Sequence, residues 1–309
     1  MMEAMDQFAS FLDKSGVPID AIYGLMACVF AIAFGVVLAK KQEKAFRPPA
    51  SSLTPAENLG EGHLPNVNFF DYGDMRFLHL GSPAVQGSMR ISKPFEIHLD
   101  YQQRMMGWLL FVDLDRVHQM HAMQLGLGAG SLTKFCLHHL DMQTTAIELN
   151  PQVLTTCRQW FNLPQDDTKL KVILADAAEV VNDPQWVGKI DALQVDLYDQ
   201  EAAQPVFDSE DFYRKCHQLL ADQGCMTVNL FGHAHNFEKS LQNITAAFAE
   251  KTIWQFKPTH AGNTIVIALK KDRGLNKTEL LAQAKAIEKR WPLPTAKWGK
   301  ALTRVDNSI

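Results

Sequence analysis

Cysteine is scarce in this 309-residue chain and carries no pattern: Cys28, Cys136, Cys157, Cys216 and Cys225 are odd in number and lack CxxC spacing. That fits reduced thiols better than a disulfide framework. Clustered basic charge is also missing. The formal net charge is −4, and Lys and Arg are scattered apart from one run near residue 40, so no nucleic-acid-binding face is expected. Metal-ligand spacing is absent too. His118 and His121 could share a helix face, but adjacent His138 and His139 point apart on a helix, and no further His or Cys completes a site with either pair. His233 and His235 read as solvated loop residues, and no metal is expected. No internal repeat is visible. At 47% hydrophobic and 21% charged residues, the composition is ordinary for a globular protein.

Long apolar runs are missing with one exception. Ala21 to Ala39, "AIYGLMACVFAIAFGVVLA", holds no charge over nineteen residues. A helix of that length rises about 28 Å, close to the ~30 Å of a bilayer core. "KKQEK" follows it, while Glu3, Asp6, Asp13 and Asp20 stand against Lys14 before it. The positive-inside rule then places the C-terminal side in the cytoplasm. The expectation is an N-terminal transmembrane helix within an anchor over 1–46, single-pass in an inner or plasma membrane. A buried core helix is the alternative. A secretory signal fits less well, because its basic residues would precede the run.

The remainder divides by composition. Residues 47–68, rich in Pro, Ser and Gly, read as a linker. Residues 69–118 read as a small β-hairpin subdomain built from "RFLHL", "GSMRI" and "FEIHL", followed by a connecting helix in "DYQQRMMGWLLFV". Over 119–271, "MQLGLG", "QTTAIEL", "KVILAD", "DALQVDLY", "CMTVNLF" and "NTIVIAL" alternate with helical stretches. That alternation predicts an α/β fold with a doubly wound, Rossmann-like parallel sheet. Residues 272–309 read as a C-terminal helix and tail, with Asn276 and Glu279 at capping-box spacing.

"MQLGLGAGSLTKFCLHH" places Gly126, Gly128 and Gly130 between the first of these strands and a helix. Glycines there admit ligand atoms close to the backbone, and a helix start offers free N–H groups. Glu148 ends the next strand, eighteen residues after Gly130. A carboxylate there can accept from both ribose hydroxyls. Asp176 ends the third strand, within reach of an adenine amino group, and Asp196 and Asp199 follow the fourth. Strand-end acids also serve as helix caps. Their common register after a glycine loop points to an adenosine site at the carboxyl edge of the sheet.

From about Arg76 to Lys270 this arrangement resembles the class I S-adenosylmethionine-dependent transferase (methyltransferase-type) fold. More closely, it resembles the polyamine aminopropyltransferases of the spermidine synthase family. "DYQQRMM" is similar to the family's "YQE"-type helix start, with Tyr101 and Gln102 in place. "DLYDQ" is similar to its "DSSDP", keeping Asp196 and Asp199 and replacing proline with Gln200. The resemblance implies attack of a small-molecule amine or polyamine, such as putrescine, on decarboxylated S-adenosylmethionine. It implies no tightly bound cofactor. Asp199 would accept the amine proton with Asp196 in support, and Tyr101 would shape the amine site. Gly126, Gly128, Gly130, Glu148, Asp176 and Gln102 would hold the nucleoside co-substrate. A homodimer and a cytoplasmic catalytic domain complete the expectation. Two positions depart from the family. Its "GGGDGG" loop carries an Asp for the aminopropyl ammonium where Ala129 stands here, and "QFKPTHAGN" lacks its late channel tyrosine. Two alternatives therefore stay open: a methyltransferase that uses S-adenosylmethionine, and a non-catalytic nucleoside-binding homologue.

Overall fold

Val67–Tyr72 (β1), Met75–Leu80 (β2) and Val85–Arg90 (β3) form an antiparallel three-stranded sheet in the order β1-β2-β3. This is a computed structural model, and it describes residues 64–198, 207–231, 234–249 and 252–305. "FEIHL" does not form the strand expected of it. It follows Pro94, the Phe95 ring stacks on His138 with centroids 4.1 Å apart, and Ile97 O accepts from Gln103 Nε2 at 2.8 Å. Its apolar side chains pack locally instead of pairing, and β1 supplies the third strand.

Asp100–Met105 (α1) continues into a 3-10 turn over Met106–Phe111 that is buried throughout. The larger sheet then assembles from His121–Leu125 (β4), Gln143–Glu148 (β5), Leu170–Leu174 (β6), Ile190–Val195 (β7), Leu220–Leu230 (β8), Ile253–Phe256 (β9), Thr264–Leu269 (β10) and Leu302–Arg304 (β11). Its order is β11-β9-β10-β8-β7-β4-β5-β6. Strands β8-β7-β4-β5-β6 run parallel, whereas β10, β9 and β11 are antiparallel to their neighbours. The sheet is therefore mixed rather than wholly parallel. The expected strand "NTIVIAL" is present as β10, but it returns antiparallel from β9 and inserts between β9 and β8.

Side-chain caps start the helices between these strands. Asn150 Oδ1 accepts from Gln152 N at 2.9 Å ahead of Pro151–Trp160 (α3), and Asp176 caps Ala177–Val180 (α4). Ser209 Oγ accepts from Phe212 N at 3.1 Å at the start of Glu210–Leu219 (α5). Ala234–Ala247 (α6) lies between β8 and β9. Asn276 and Glu279 form the expected capping box of Lys277–Arg290 (α7). The glycine loop opens Ser131–His138 (α2).

Apolar side chains cover both faces of the large sheet, with Trp108, Phe135 and Ile287 on one and Leu193, Tyr213 and Ile244 on the other. A third cluster joins Leu78 and Met89 of the small sheet to Leu127, Ala129 and Phe161, seating that sheet on the glycine loop.

The expected transmembrane helix has no counterpart among the described residues. Among the described residues no helix is long and apolar enough to cross a membrane; the longest, α6 and α7, have 14 residues. That length rises only about 21 Å, short of a ~30 Å core. The run Ala21–Ala39 itself lies outside the described residues, as do 1–63 of the anchor and linker.

Lys134 of α2 is 1% exposed, and its Nζ donates to Phe161 O at 2.6 Å. Burial lowers its pKa from 10.5 to about 8. Below about 8 both folded and unfolded chains carry this proton. Between about 8 and 10.5 the unfolded chain holds the extra proton, so unfolding free energy rises with pH there. Chemical denaturation across that window should show a rise in wild type that Lys134→Met lacks. Parallel pH profiles for the two proteins would contradict this.

Candidate active site

A cavity of about 650 Å³ opens at the carboxyl edge of β4, β5 and β7, beneath β2 and β3. Gly126 and Gly128 form its floor, Glu148 and Asp176 one side, and Tyr101, Asp196 and Asn229 the other. Most of the expected site residues therefore converge.

Close approach accounts for the first glycine. Gly126 has φ +93°, and a Cβ there would stand 2.4 Å from Asp196 O. Only glycine fits, and its absent side chain lets the loop lie against the end of β7. Gly130, with φ +68°, is the left-handed residue that turns the loop into α2. Ala129 is fully buried and does not line the cavity. Its Cβ faces Gly87 of β3, where an added Cβ would approach within 2.7 Å.

Much of the loop's backbone is already engaged. Gly126 N donates to Ile147 O at 3.0 Å, and Gly130 N donates to Leu127 O at 2.9 Å. Leu127 N donates to Glu148 Oε2 at 3.1 Å, and Asn150 N donates to Glu148 Oε1 at 2.8 Å. Glu148 is thus held by the loop it faces. Burial raises its pKa against those two N–H donors. Asp176 lines the cavity while its Oδ1 accepts from Ala178 N at 2.8 Å. The capping role and the cavity-facing position coexist in one carboxyl group.

The opposite side is a continuous hydrogen-bonded set. Tyr101 Oη donates to Asp196 Oδ2 at 3.2 Å, and Asn229 Nδ2 donates to Asp196 Oδ1 at 2.9 Å. Asn263 Nδ2 donates to Asn229 Oδ1 at 3.0 Å, which fixes the orientation of the Asn229 amide. Gln102 bonds the Tyr101 hydroxyl, while its own buried Oε1 has no hydrogen-bond partner among the described residues. Burial raises the Asp196 carboxyl despite the two donors, and burial followed by the nearby Asp196 charge raises the Tyr101 phenol. Tyr198 Oη donates to Asn229 O at 2.8 Å and accepts from Phe231 N at 2.7 Å, tying the end of β8 to the loop after β7. Asp199 lies outside the described residues, as does His233.

Sequence reasoning missed Asn229, Asn263 and Tyr198. Asn229 carried a signal: it is the polar residue at the end of the apolar strand segment "CMTVNLF". Asn263 carried none, because its role depends on the turn after β9 folding back on β8.

The spermine/spermidine synthase domain matches residues 105–280, more than half of the chain. The chain belongs to the spermine/spermidine synthase family. It is 33% identical to a polyamine aminopropyltransferase of Neisseria meningitidis over 223 residues, 72% of this chain and 81% of that protein. It is 31% identical to a polyamine aminopropyltransferase of Chromobacterium violaceum, over 74% of this chain and 86% of that one. The crystal structure of a probable spermidine synthase from Corynebacterium glutamicum superposes with a TM-score of 0.61. It covers 75% of this chain and 88% of that one at 18% identity, a likeness of fold. For a spermine/spermidine synthase family member, the expected inner- or plasma-membrane localisation is overturned. The relatives match nearly three quarters of the chain, and no described helix can span a membrane.

In this family member Asn229 is the stronger of the two donors that oppose the burial of Asp196. Replacing Asn229 with Leu should raise the Asp196 pKa further, read by carbon-detected NMR titration of labelled aspartate. An unchanged titration would show that Asn229 does not stabilise the anion.

Proposed function

We propose that this protein moves the aminopropyl group of decarboxylated S-adenosylmethionine to an amine such as putrescine. The observation that carries the proposal is the charge of the cavity wall. Among the described residues its carboxyl side chains are Glu148, Asp176 and Asp196, and no Lys, Arg or His lines it. A sulfonium co-substrate with an aminopropyl ammonium, and an amine acceptor, are both cationic and match that wall. The loop supports the same choice. With Gly126, Leu127 and Gly130 amides engaged, few backbone donors are left for the carboxylate that ordinary S-adenosylmethionine carries.

The chemistry needs little beyond positioning. The neutral amine's lone pair attacks the aminopropyl carbon, the carbon–sulfur bond breaks, and the sulfonium becomes a neutral thioether. The proton on the new ammonium passes to a carboxylate. Asp196 is the described carboxylate that suits this role, because Tyr101 and Asn229 fix its orientation and burial raises its basicity. We therefore assign it the proton-accepting role expected of Asp199, and Asp199 the supporting one. Glu148 holds the ribose and Asp176 the adenine. Gln102 lines the co-substrate's side of the cavity, and Gly126 and Gly128 admit it to the backbone, while Gly130 shapes the turn into α2. The division into 1–46, 47–68, 69–118, 119–271 and 272–309 belongs to the same proposal.

The experiment pairs decarboxylated S-adenosylmethionine with putrescine, and separately S-adenosylmethionine with candidate acceptors. Transfer is expected from the first pair; methyl transfer alone would reverse the assignment. Asp196→Asn should slow turnover by roughly 10²–10⁴-fold, typical of losing a general base. Its basic form fills in as pH rises through its pKa, so the part of the acid limb of kcat/KM that this carboxyl contributes should vanish in that variant, leaving the limb set by deprotonation of the amine itself. If Asp199→Asn instead carries the whole loss, the two roles exchange.

Glu148→Ala should weaken binding of methylthioadenosine at least about tenfold, for loss of charge-assisted bonds of ~1.5–3 kcal/mol each. Calorimetry that finds wild-type affinity would remove Glu148 from the nucleoside site.

A further inference from the structure

Two glutamines lie in the apolar core directly beneath the cavity. Gln124, two residues before Gly126 on β4, is 1% exposed; Gln194, two residues before Asp196 on β7, is fully buried. Buried amides persist in such a core only when they are hydrogen-bonded.

Their orientations follow from one end of the chain of bonds. Met105 O is a carbonyl and can only accept, so Gln194 turns its Nε2 towards it, at 3.3 Å. Gln194 Oε1 then faces Gln124, whose Nε2 donates at 2.9 Å. That leaves Gln124 Oε1 to accept from Thr133 Oγ1 at 3.2 Å. The sequence Thr133, Gln124, Gln194, Met105 therefore has one polarity and spans α2, β4, β7 and α1.

Its ends are the elements that carry the site. Thr133 stands in the first turn of α2, just after the glycine loop. Met105 closes α1 one turn beyond Tyr101, and the last carbonyls of a helix lack partners within it. Strand β7 thus grips α1 from below through Gln194 and meets its Tyr101 from above through Asp196.

We propose that Gln194, backed by Gln124, is a positioning residue that sets the height of α1 and so holds Tyr101 against Asp196. It joins the acceptor half of the cavity to the glycine loop. The inference rests on the reading of Asp196 and Tyr101 as the acceptor side.

Gln194→Met keeps the volume and removes the amide, while Gln124 keeps its bond from Thr133. The amine KM should rise and kcat fall, lowering acceptor kcat/KM about 10- to 100-fold, as expected for a displacement near 1 Å. The co-substrate KM should stay as in wild type. A crystal structure of the variant should show Tyr101 Oη beyond hydrogen-bond reach of Asp196 Oδ2. The double variant Gln124→Met/Gln194→Met leaves no orphaned amide, so it should regain melting temperature without regaining acceptor kinetics. A variant that loses only melting temperature, with kinetics and the Tyr101–Asp196 contact of wild type, overturns the proposal. A double variant that regains both also overturns it. The crystallographic distance needs no turnover. A wild type that transfers no aminopropyl group would therefore count against the function proposed above, while that distance still decides this inference.

Discussion

The carbonyl oxygen of Asp196 occupies the space where a side chain on Gly126 would begin, 2.4 Å from the place of its Cβ. The rest of the site depends on that contact. It brings the end of β7 against the loop after β4, so that the acid of one strand and the glycines of its neighbour share one floor. Parallel pairing sets the height at which they meet, since Leu125 lies opposite Val195 in the ladder. One residue beyond that pair, both chains leave the sheet, and the cavity opens where they part.

The walls raised on that floor are electrostatically one-sided. Glu148 and Asp196 are carboxyls whose burial opposes ionisation, and each is answered by neutral donors instead of by a basic side chain. Neutral donors hold a carboxylate in place without cancelling its charge. The field inside the cavity therefore stays negative and available to a cationic ligand. Salt bridges do occur in the protein, but they are surface pairs such as Lys93–Glu96 and Arg214–Glu210, away from this cavity.

The small sheet closes the site from above. Leu78 and Met89 pack with Leu127 and Ala129, so the roof and the glycine loop share one apolar cluster. This changes the meaning of Ala129. In the sequence it marks a lost carboxylate; in the fold it is a packing residue matched to Gly87, with no access to the cavity. Arg76 holds the same sheet to α3: Asp71 pairs with its guanidinium at 2.7 Å, and its Nη1 donates to Trp160 O at 2.6 Å.

By itself the sequence determined the strands β4 to β8 and β10, the glycine loop, and the strand-end positions of Glu148, Asp176 and Asp196. Those features are written in local chemistry: apolar runs of strand length, glycine where φ is positive, acids where a strand stops. The capping box at Asn276 was legible for the same reason. Tertiary structure decided what local pattern does not encode. β9 and β11 are short and have ambiguous composition; β9 becomes a strand because β10 offers an antiparallel edge, and β11 because β9 then offers one in turn. Asn263 reaches the site because a turn over Thr259–Asn263 lays its amide against Asn229 across the sheet. Gln124 and Gln194 read in sequence as polar interruptions of apolar strands. Their pairing exists only because β4 and β7, 70 residues apart, lie side by side.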